Sequence, residues 1–464
     1  MKTFNRRLLA ITVAAALSAP GAVFATNGYF AHGYGTKNKG LVGGGVALPQ
    51  DSMIAATNPA GMAYVGKRLD VGLAVFSPSP RKYSAGAPSG GQIPDGTFCA
   101  PNCPVTIGGP GGNQSLESEN DFFLIPHFGF NYMLNTDMSI GVSVYGNGGM
   151  NTEWEGGQTQ HPDQTGTLVT TPGTYGAGTA GVNLEQLFVN IPFAMKFAGG
   201  KASWGIAPIF AYQRFEAKGT ATFGGISLHP DKLSNQGTDT SAGWGGKIGV
   251  QGDIGPVTLA GSYQSKMSMD KFDKYKGLFA EEGGFDIPST WTLGLAWKTT
   301  KSSALTFDVQ RINYTDVKSI SNSMEPLVNG SCTPQGAAGN PLAVGAGCLG
   351  GSNGGGFGWQ DMTIYKIGYQ FATSPAWAWR VGFSTGDQPI QGDDVVFNIL
   401  APGVVEQHFT FGFTWDSGKS SEVNFAAMYA PNNSVSGTNK FRPDQNIEIE
   451  MTQFELEASW GYRF

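Results

Sequence analysis

No apolar run in this chain reaches the roughly 18 residues that a bilayer-crossing helix requires, so no helix of it can span a membrane. Charge is also scarce. Asp, Glu, Lys and Arg together supply 14% of positions, against roughly 25% in an ordinary soluble domain. The 29 Lys and Arg against 35 Asp and Glu leave a net charge of -6, which provides no electrostatic footprint for nucleic acid. Histidines number five, His32, His127, His161, His229 and His408. None has a serine or acid at a motif spacing, so no catalytic residue is assigned and no enzyme is expected. Cysteines are few, and Cys99-x-x-x-Cys103 has neither a matching second pair nor a nearby histidine, so neither a metal site nor a cofactor is implied.

Glycine and aromatics are abundant. Glycine fills 69 of 464 positions without a Gly-X-Y period, which excludes collagen. Aromatics at 12% argue against general disorder. Residues 1–25 read as a secretory signal peptide, with Lys2, Arg6 and Arg7 before a short apolar core from Leu8 to Leu17. Val23-Phe24-Ala25 supplies the cleavage site. Export permits disulfides. Four cysteines allow three pairings, of which the local pairs Cys99–Cys103 and Cys332–Cys348 are the simplest, each cinching a long loop.

The remaining chain alternates with period two. Trp291, Leu293, Leu295 and Trp297 are interleaved with Thr292, Gly294 and Ala296; Phe409, Phe411, Phe413 and Trp415 with Thr410, Gly412 and Thr414. Successive side chains of a strand point to opposite faces, so each segment has one apolar and one small or polar face. These segments are about 10 to 16 residues long, where globular strands average five or six. About fourteen of them occur, joined alternately by short turns and long stretches, as in a transmembrane barrel. The last carries an apolar file, Phe454, Leu456, Ala458, Trp460, Tyr462 and Phe464. Its terminal aromatic is the signal read by the barrel assembly machinery. The fold expected is all-β: a 14-stranded antiparallel transmembrane β-barrel over residues 67–464, in the outer membrane of a Gram-negative cell. Its surroundings would be outer-membrane lipid and lipopolysaccharide, with a monomer sufficing.

Residues 26–66 lack a membrane-strand pattern yet carry few charges, as suits a plug folded inside the lumen. Here a family becomes recognisable. The Asn58-Pro59-Ala60 motif of this segment, the third strand SIGVSVYGNGGMNTEW, and RINYTDVKSI, GWQDMTIYKIGYQF, GDQPI and FNILAPGVVEQH occur in order along the chain. Together they resemble the FadL/TodX family of outer-membrane transporters for long-chain fatty acids and other hydrophobic compounds.

The resemblance implies an N-terminal hatch and capture of a hydrophobic ligand in an extracellular apolar groove. It also implies lateral exit through a gap made by an inward kink of the third strand, mapping here onto Asn147, Gly148 and Gly149. For a carboxylate head group it points to Arg214, with Tyr212 standing where the best-known member of the family has an arginine, and to Lys318. Phe223, Ile226 and Leu228 of one loop, and Leu278, Phe279 and Phe285 of another, are the apolar candidates for the groove. Long-chain fatty acids are the first substrate expectation. Neutral or aromatic hydrocarbons are the alternative, and a general diffusion porin is a further one.

Overall fold

A computed structural model describes residues 27–90, 105–162, 167–334 and 343–464; the expected signal peptide and the Cys99–Cys103 pair lie outside these residues. Fourteen strands pair antiparallel in sequence order: β1 (Arg68–Ser77), β2 (Phe123–Met133), β3 (Met138–Trp154), β4 (Ala180–Asn190, continued by Phe193–Phe197), β5 (Ala202–Lys218), β6 (Asp239–Ile254) and β7 (Val257–Gln264). There follow β8 (Thr290–Thr300), β9 (Ser303–Ile312), β10 (Met362–Ser374), β11 (Trp377–Gly386), β12 (Gln407–Asp416), β13 (Ser421–Asn439) and β14 (Arg442–Arg463). β14 pairs with β1 from Arg463↔Arg68 to Phe454↔Ser77, so the sheet closes on itself.

Alternation sets which side chains face out. Val71, Leu73 and Val75 of β1 are exposed while Asp70, Ala74 and Phe76 between them are buried. On β14, Phe454, Leu456, Trp460 and Tyr462 are exposed whereas Glu455 and Glu457 are buried. A barrel whose apolar file is outside and whose charges are inside is built for lipid. Trp377, Trp415, Trp297, Trp460, Tyr369 and Phe464, at or near strand ends by the short turns, are also exposed, as an interfacial aromatic belt requires.

Several strand limits differ from the alternation pattern. β9 stops at Ile312, because Tyr314–Asp316 turn and Lys318–Ser321 form a short helix. The fourth strand is interrupted at Ile191-Pro192, where proline lacks the ladder donor. β13 and β14 extend as one long ribbon reaching Asn439 and Arg442. Polar residues there, such as Asn432 and Glu450, stand beyond the apolar band.

Residues 27–66 lie within the ring and bond to inward side chains almost all the way round it. Asn131 of β2 donates to the Met62 carbonyl at 2.9 Å, Ser203 of β5 to Ala60 at 2.9 Å, and Lys247 of β6 to Ala56. Asp308 of β9 accepts from the Val46 amide at 2.9 Å. Lys366 of β10 donates to the His32 carbonyl at 2.8 Å, and Thr410 of β12 to Gly40 at 3.1 Å.

Candidate functional site

Charge anchors the N-terminal segment on one side. Lys39 reaches Glu455 and Glu457 of β14 at 2.6 Å each, and Thr36 donates to Glu457 at 2.7 Å. Lys37 pairs with Glu422 of β13 at 2.5 Å, which also meets Arg68 at 2.6 Å. Burial opposes the charge on Lys39, but Glu455 and Glu457 outweigh it and hold its pKa above the ordinary lysine value. His32 is the converse. Burial, followed by the cations Lys39 and Lys366 and the neighbouring His408, pushes its pKa well below the usual range, so it stays neutral.

The Asn58-Pro59-Ala60 motif is a compact fastening. Asn58 caps the turn over Pro59–Tyr64 by accepting from the Ala60 amide at 3.1 Å, and donates to the Val46 carbonyl at 3.0 Å. It fits because Gly249 of β6 faces it without a side chain; a Cβ there would stand 2.0 Å from the Asn58 amide oxygen.

A short way round the ring, between β2 and β3, the wall itself opens. β2 and β3 pair from Met133↔Ser139 up to His127↔Tyr145 and no further, although β2 continues beside β1 as far as Phe123↔Phe76. On its other edge β3 keeps pairing with β4, with one extra residue: Gly146 opposes Leu187 and Gly148 opposes Gln186. Asn147 is thus the bulged residue, and a bulge bends its strand. The edge that β3 turns away from β2 is taken by the N-terminal segment. Gly149 donates to the Tyr29 carbonyl at 2.9 Å, and Ala31 to the Asn147 carbonyl at 2.9 Å. Gly148 makes this approach possible, since a Cβ on it would lie 1.8 Å from the Tyr29 oxygen. Contact with the β2 side resumes only where Glu119 donates to the Glu153 carbonyl at 2.9 Å.

Two apolar cavities lie inside the barrel, one of them at this gap. One lies under the long loops, lined by Val182, Phe215, Phe223, Leu278, Phe279, Leu349, Phe357, Phe397 and Leu400. The other abuts the gap, lined by Tyr29, Phe76, Pro78, Arg81, Met150, Asn151, Trp359 and Met451 with Ala401-Pro402-Gly403. Between them runs a file of rings: Phe279 and Phe285 have centroids 4.8 Å apart, Phe285 and Tyr29 6.3 Å, and Tyr29 and Trp359 6.0 Å. Residues 395–403 separate the two cavities and are tied to β3 by Trp154, which donates to the Ile399 carbonyl at 3.0 Å, and by Thr152, which donates to Leu400 at 2.8 Å.

Of the apolar candidates, Phe223, Leu278 and Phe279 line the cavity under the loops, and Phe285 continues the file. Ile226 and Leu228 instead pack against the Cys332–Cys348 disulfide and Ala343. The head-group cations require correction. On β5 the inward file is Ile209, Ala211, Gln213 and Phe215, so Tyr212 and Arg214 face outward. Arg214 pairs on that face with Glu185 at 3.5 Å. Lys318 is half-exposed on the loop surface, meeting Glu281 at 2.8 Å and the Ser352 carbonyl at 3.0 Å. Neither lines either cavity.

In their place the inward side carries an amide relay. Tyr34 donates to Asn147 at 2.8 Å, Asn147 to Gln186 at 3.0 Å, Gln186 to Gln213 at 3.1 Å, and Gln213 to the Phe285 carbonyl at 2.8 Å. It joins the bulge to the loop that carries Phe279 and Phe285. Alternation from Phe215 back to Gln213 was the signal that could have found it.

The model of the outer membrane protein transport protein family (OMPP1/FadL/TodX) matches residues 12–459. No curated relative matches the chain. Among solved structures, the Pseudomonas putida toluene transporter TodX is 16% identical with TM-score 0.60, over 94% of this chain and 99% of that one. A Pseudomonas aeruginosa FadL homologue is 13% identical with TM-score 0.59, over 94% and 100%. The Ralstonia pickettii toluene transporter TbuX is 14% identical with TM-score 0.54, over 94% and 99%.

Proposed function

Because the chain belongs to the outer membrane transport protein family of FadL and TodX, which moves hydrophobic compounds, we propose that it takes up its ligand by lateral exit. The ligand is captured in the apolar cavity under the loops, passes along the rings of Phe279, Phe285 and Tyr29, and leaves between β2 and β3. The observation that carries this reading is the parting of β3 from β2 after Tyr145, with the apolar side chains of Phe76 and Met150 lining the cavity there. A lipophile gains nothing by crossing the lumen into periplasmic water, whereas a side door keeps it in apolar surroundings. Each buried CH₂ contributes about 0.8 kcal/mol, so an extended chain or a ring binds such a cavity without polar help. Residues 27–66 act as the hatch that blocks the axial route.

The cavity under the loops is lined by no charged side chain. Capture there reads apolar bulk, which suits both a long-chain fatty acid and a neutral or aromatic hydrocarbon, the ligand class named for the TodX and TbuX structures. A general diffusion porin would keep an open polar lumen, unlike a ring bonded almost all the way round to residues 27–66. Uptake of labelled laurate and labelled toluene by cells with and without this chain tests the reading. Faster entry of at least one supports it; identical rates, together with a large steady conductance in planar bilayers, would replace it with the porin.

A further inference from the structure

We propose that Arg81 is the head-group site of this transporter, holding the carboxylate of an amphipathic ligand in the cavity at the wall gap. The proposal rests on the lateral path and adds the substrate class that path serves. Arg81 sits just past β1, 3% exposed, and lines an otherwise largely apolar cavity with Phe76, Met150 and Trp359. One end of its guanidinium is held: Nη2 donates to Ser118 Oγ at 2.8 Å and to the Asn120 carbonyl at 3.0 Å. The other is not. Nε is buried without a hydrogen-bond partner, and among the described residues no carboxylate lies within ion-pair distance of Arg81. Asp121 is the neighbouring acid whose charge reaches it.

Buried cations elsewhere in the lumen have their donors engaged: Arg380 and Lys247, which like Arg81 meet no carboxylate among the described residues, donate to Gln50 and Thr414 and to the Ala56 carbonyl. Arg68 is met by Asp70 and Glu422, each within 2.6 Å, and Lys37 and Lys39 have carboxylates at similar distances. Taking a guanidinium out of water without a counter-ion is costly, and an unmade buried donor adds to that cost. A fork fixed at one end with a free N–H directed elsewhere is preorganised for an oxyanion. The cavity itself is small, so the attached tail would run from it into the gap beside it. A ligand held here would have its charge neutralised where it passes from the barrel to the wall.

The same chemistry would be met by the phosphate of a membrane lipid reaching through the gap, and the test separates the two. Wild-type protein, Arg81→Met and Arg81→Lys are purified in detergent, and the affinities of laurate and of dodecanol are measured by calorimetry. Removing a charge-assisted pair should weaken laurate by roughly 10- to 100-fold in Arg81→Met while dodecanol changes by less than about twofold. Arg81→Lys should recover part of the loss. Unchanged dodecanol binding also certifies that the variant is folded. If Arg81→Met instead loses a co-purifying phosphate-bearing lipid, detected by mass spectrometry, with laurate unaffected, the anion site stands but its occupant is lipid and the substrate assignment falls. Laurate and dodecanol weakened equally, or neither changed and no lipid lost, would overturn the proposal. These are equilibrium measurements without transport, so a negative result leaves the lateral path standing.

Discussion

Replacing Gly148 by valine tests the packing of the N-terminal segment against the bulge of β3. The added Cβ would sit 1.8 Å from the Tyr29 oxygen and 3.0 Å from the Phe30 Cα, both backbone atoms that no rotamer change can move. Ordinary contact begins near 3.4 Å, so the Tyr29–Phe30 backbone must retreat by about 1.6 Å for the dispersion contact to become favourable. That retreat breaks the bonds from Gly149 to Tyr29 and from Ala31 to Asn147, both 2.9 Å. Leaving buried partners unmade costs about 1–3 kcal/mol per bond, hence about 2–6 kcal/mol for the two. The strand ladders of β3 with β4 and of β1 with β14 are untouched, so the barrel should still insert and run as a heat-modifiable band. Hydrogen exchange of the folded protein in detergent should show Ala31 and Gly149 losing protection by roughly 30-fold or more. Uptake should fall to the level of cells lacking the chain. Full protection of both amides with normal uptake would refute the reasoning.

Other consequences follow from the same geometry. Lys39→Met leaves Glu455 and Glu457 buried without their cation; a loss of about 3–5 kcal/mol is expected, read as early protease cleavage within residues 27–66 of the folded barrel. Arg214→Ala and Lys318→Ala remove exposed pairs facing away from the cavities, so ligand affinity should stay within about twofold; a tenfold loss would return them to the ligand path. Phe279→Ala removes a ring shared by the loop cavity and the aromatic file, and affinity for any ligand should drop by about 2–4 kcal/mol equivalent, measured by calorimetry. Cys332→Ser with Cys348→Ser opens a 16-residue separation. The loop should loosen by about 3 kcal/mol in a chain-entropy estimate, detected as faster exchange at Ile226 and Leu228.

Most of the barrel was legible because lipid enforces a strict rule. The outward residues of β8, β12 and β14 must be apolar, so Trp291 to Trp297, Phe409 to Trp415 and Phe454 to Phe464 alternate without exception. The same rule exposes the buried acids, since Glu455 and Glu457 fall between Phe454, Leu456 and Ala458. It fails at the long-loop end of β5, and Arg214 shows why. Beyond the apolar band the outer face meets head groups and water, so Arg214, Glu216 and Lys218 can stand outside. The lumen there is largely apolar, with Ile209, Ala211 and Phe215 buried on the inner file. Polarity inverts across the strand, and a reading that sends charge inward selects the wrong file. Arg81 escaped notice for a different reason: its unmade buried Nε–H is revealed only by the folded arrangement of Ser118 and Asn120 about its other end. The glycines of the bulge were recognisable as a motif, but the backbone that presses on Gly148 comes from residues 29–30, more than a hundred positions away.

Lateral exit is the central claim, and photoaffinity mapping addresses it most directly. A hydrophobic ligand carrying a diazirine, cross-linked during uptake by intact cells and mapped by peptide mass spectrometry, marks the route taken. Label on Phe223 and Phe279 and then on Met150 and Phe76, with none on Met62 or Tyr64 at the short-turn end, is the predicted pattern. Label on Met62 and Tyr64 without Met150 or Phe76 would mean that the ligand leaves through the displaced N-terminal segment, and would contradict it.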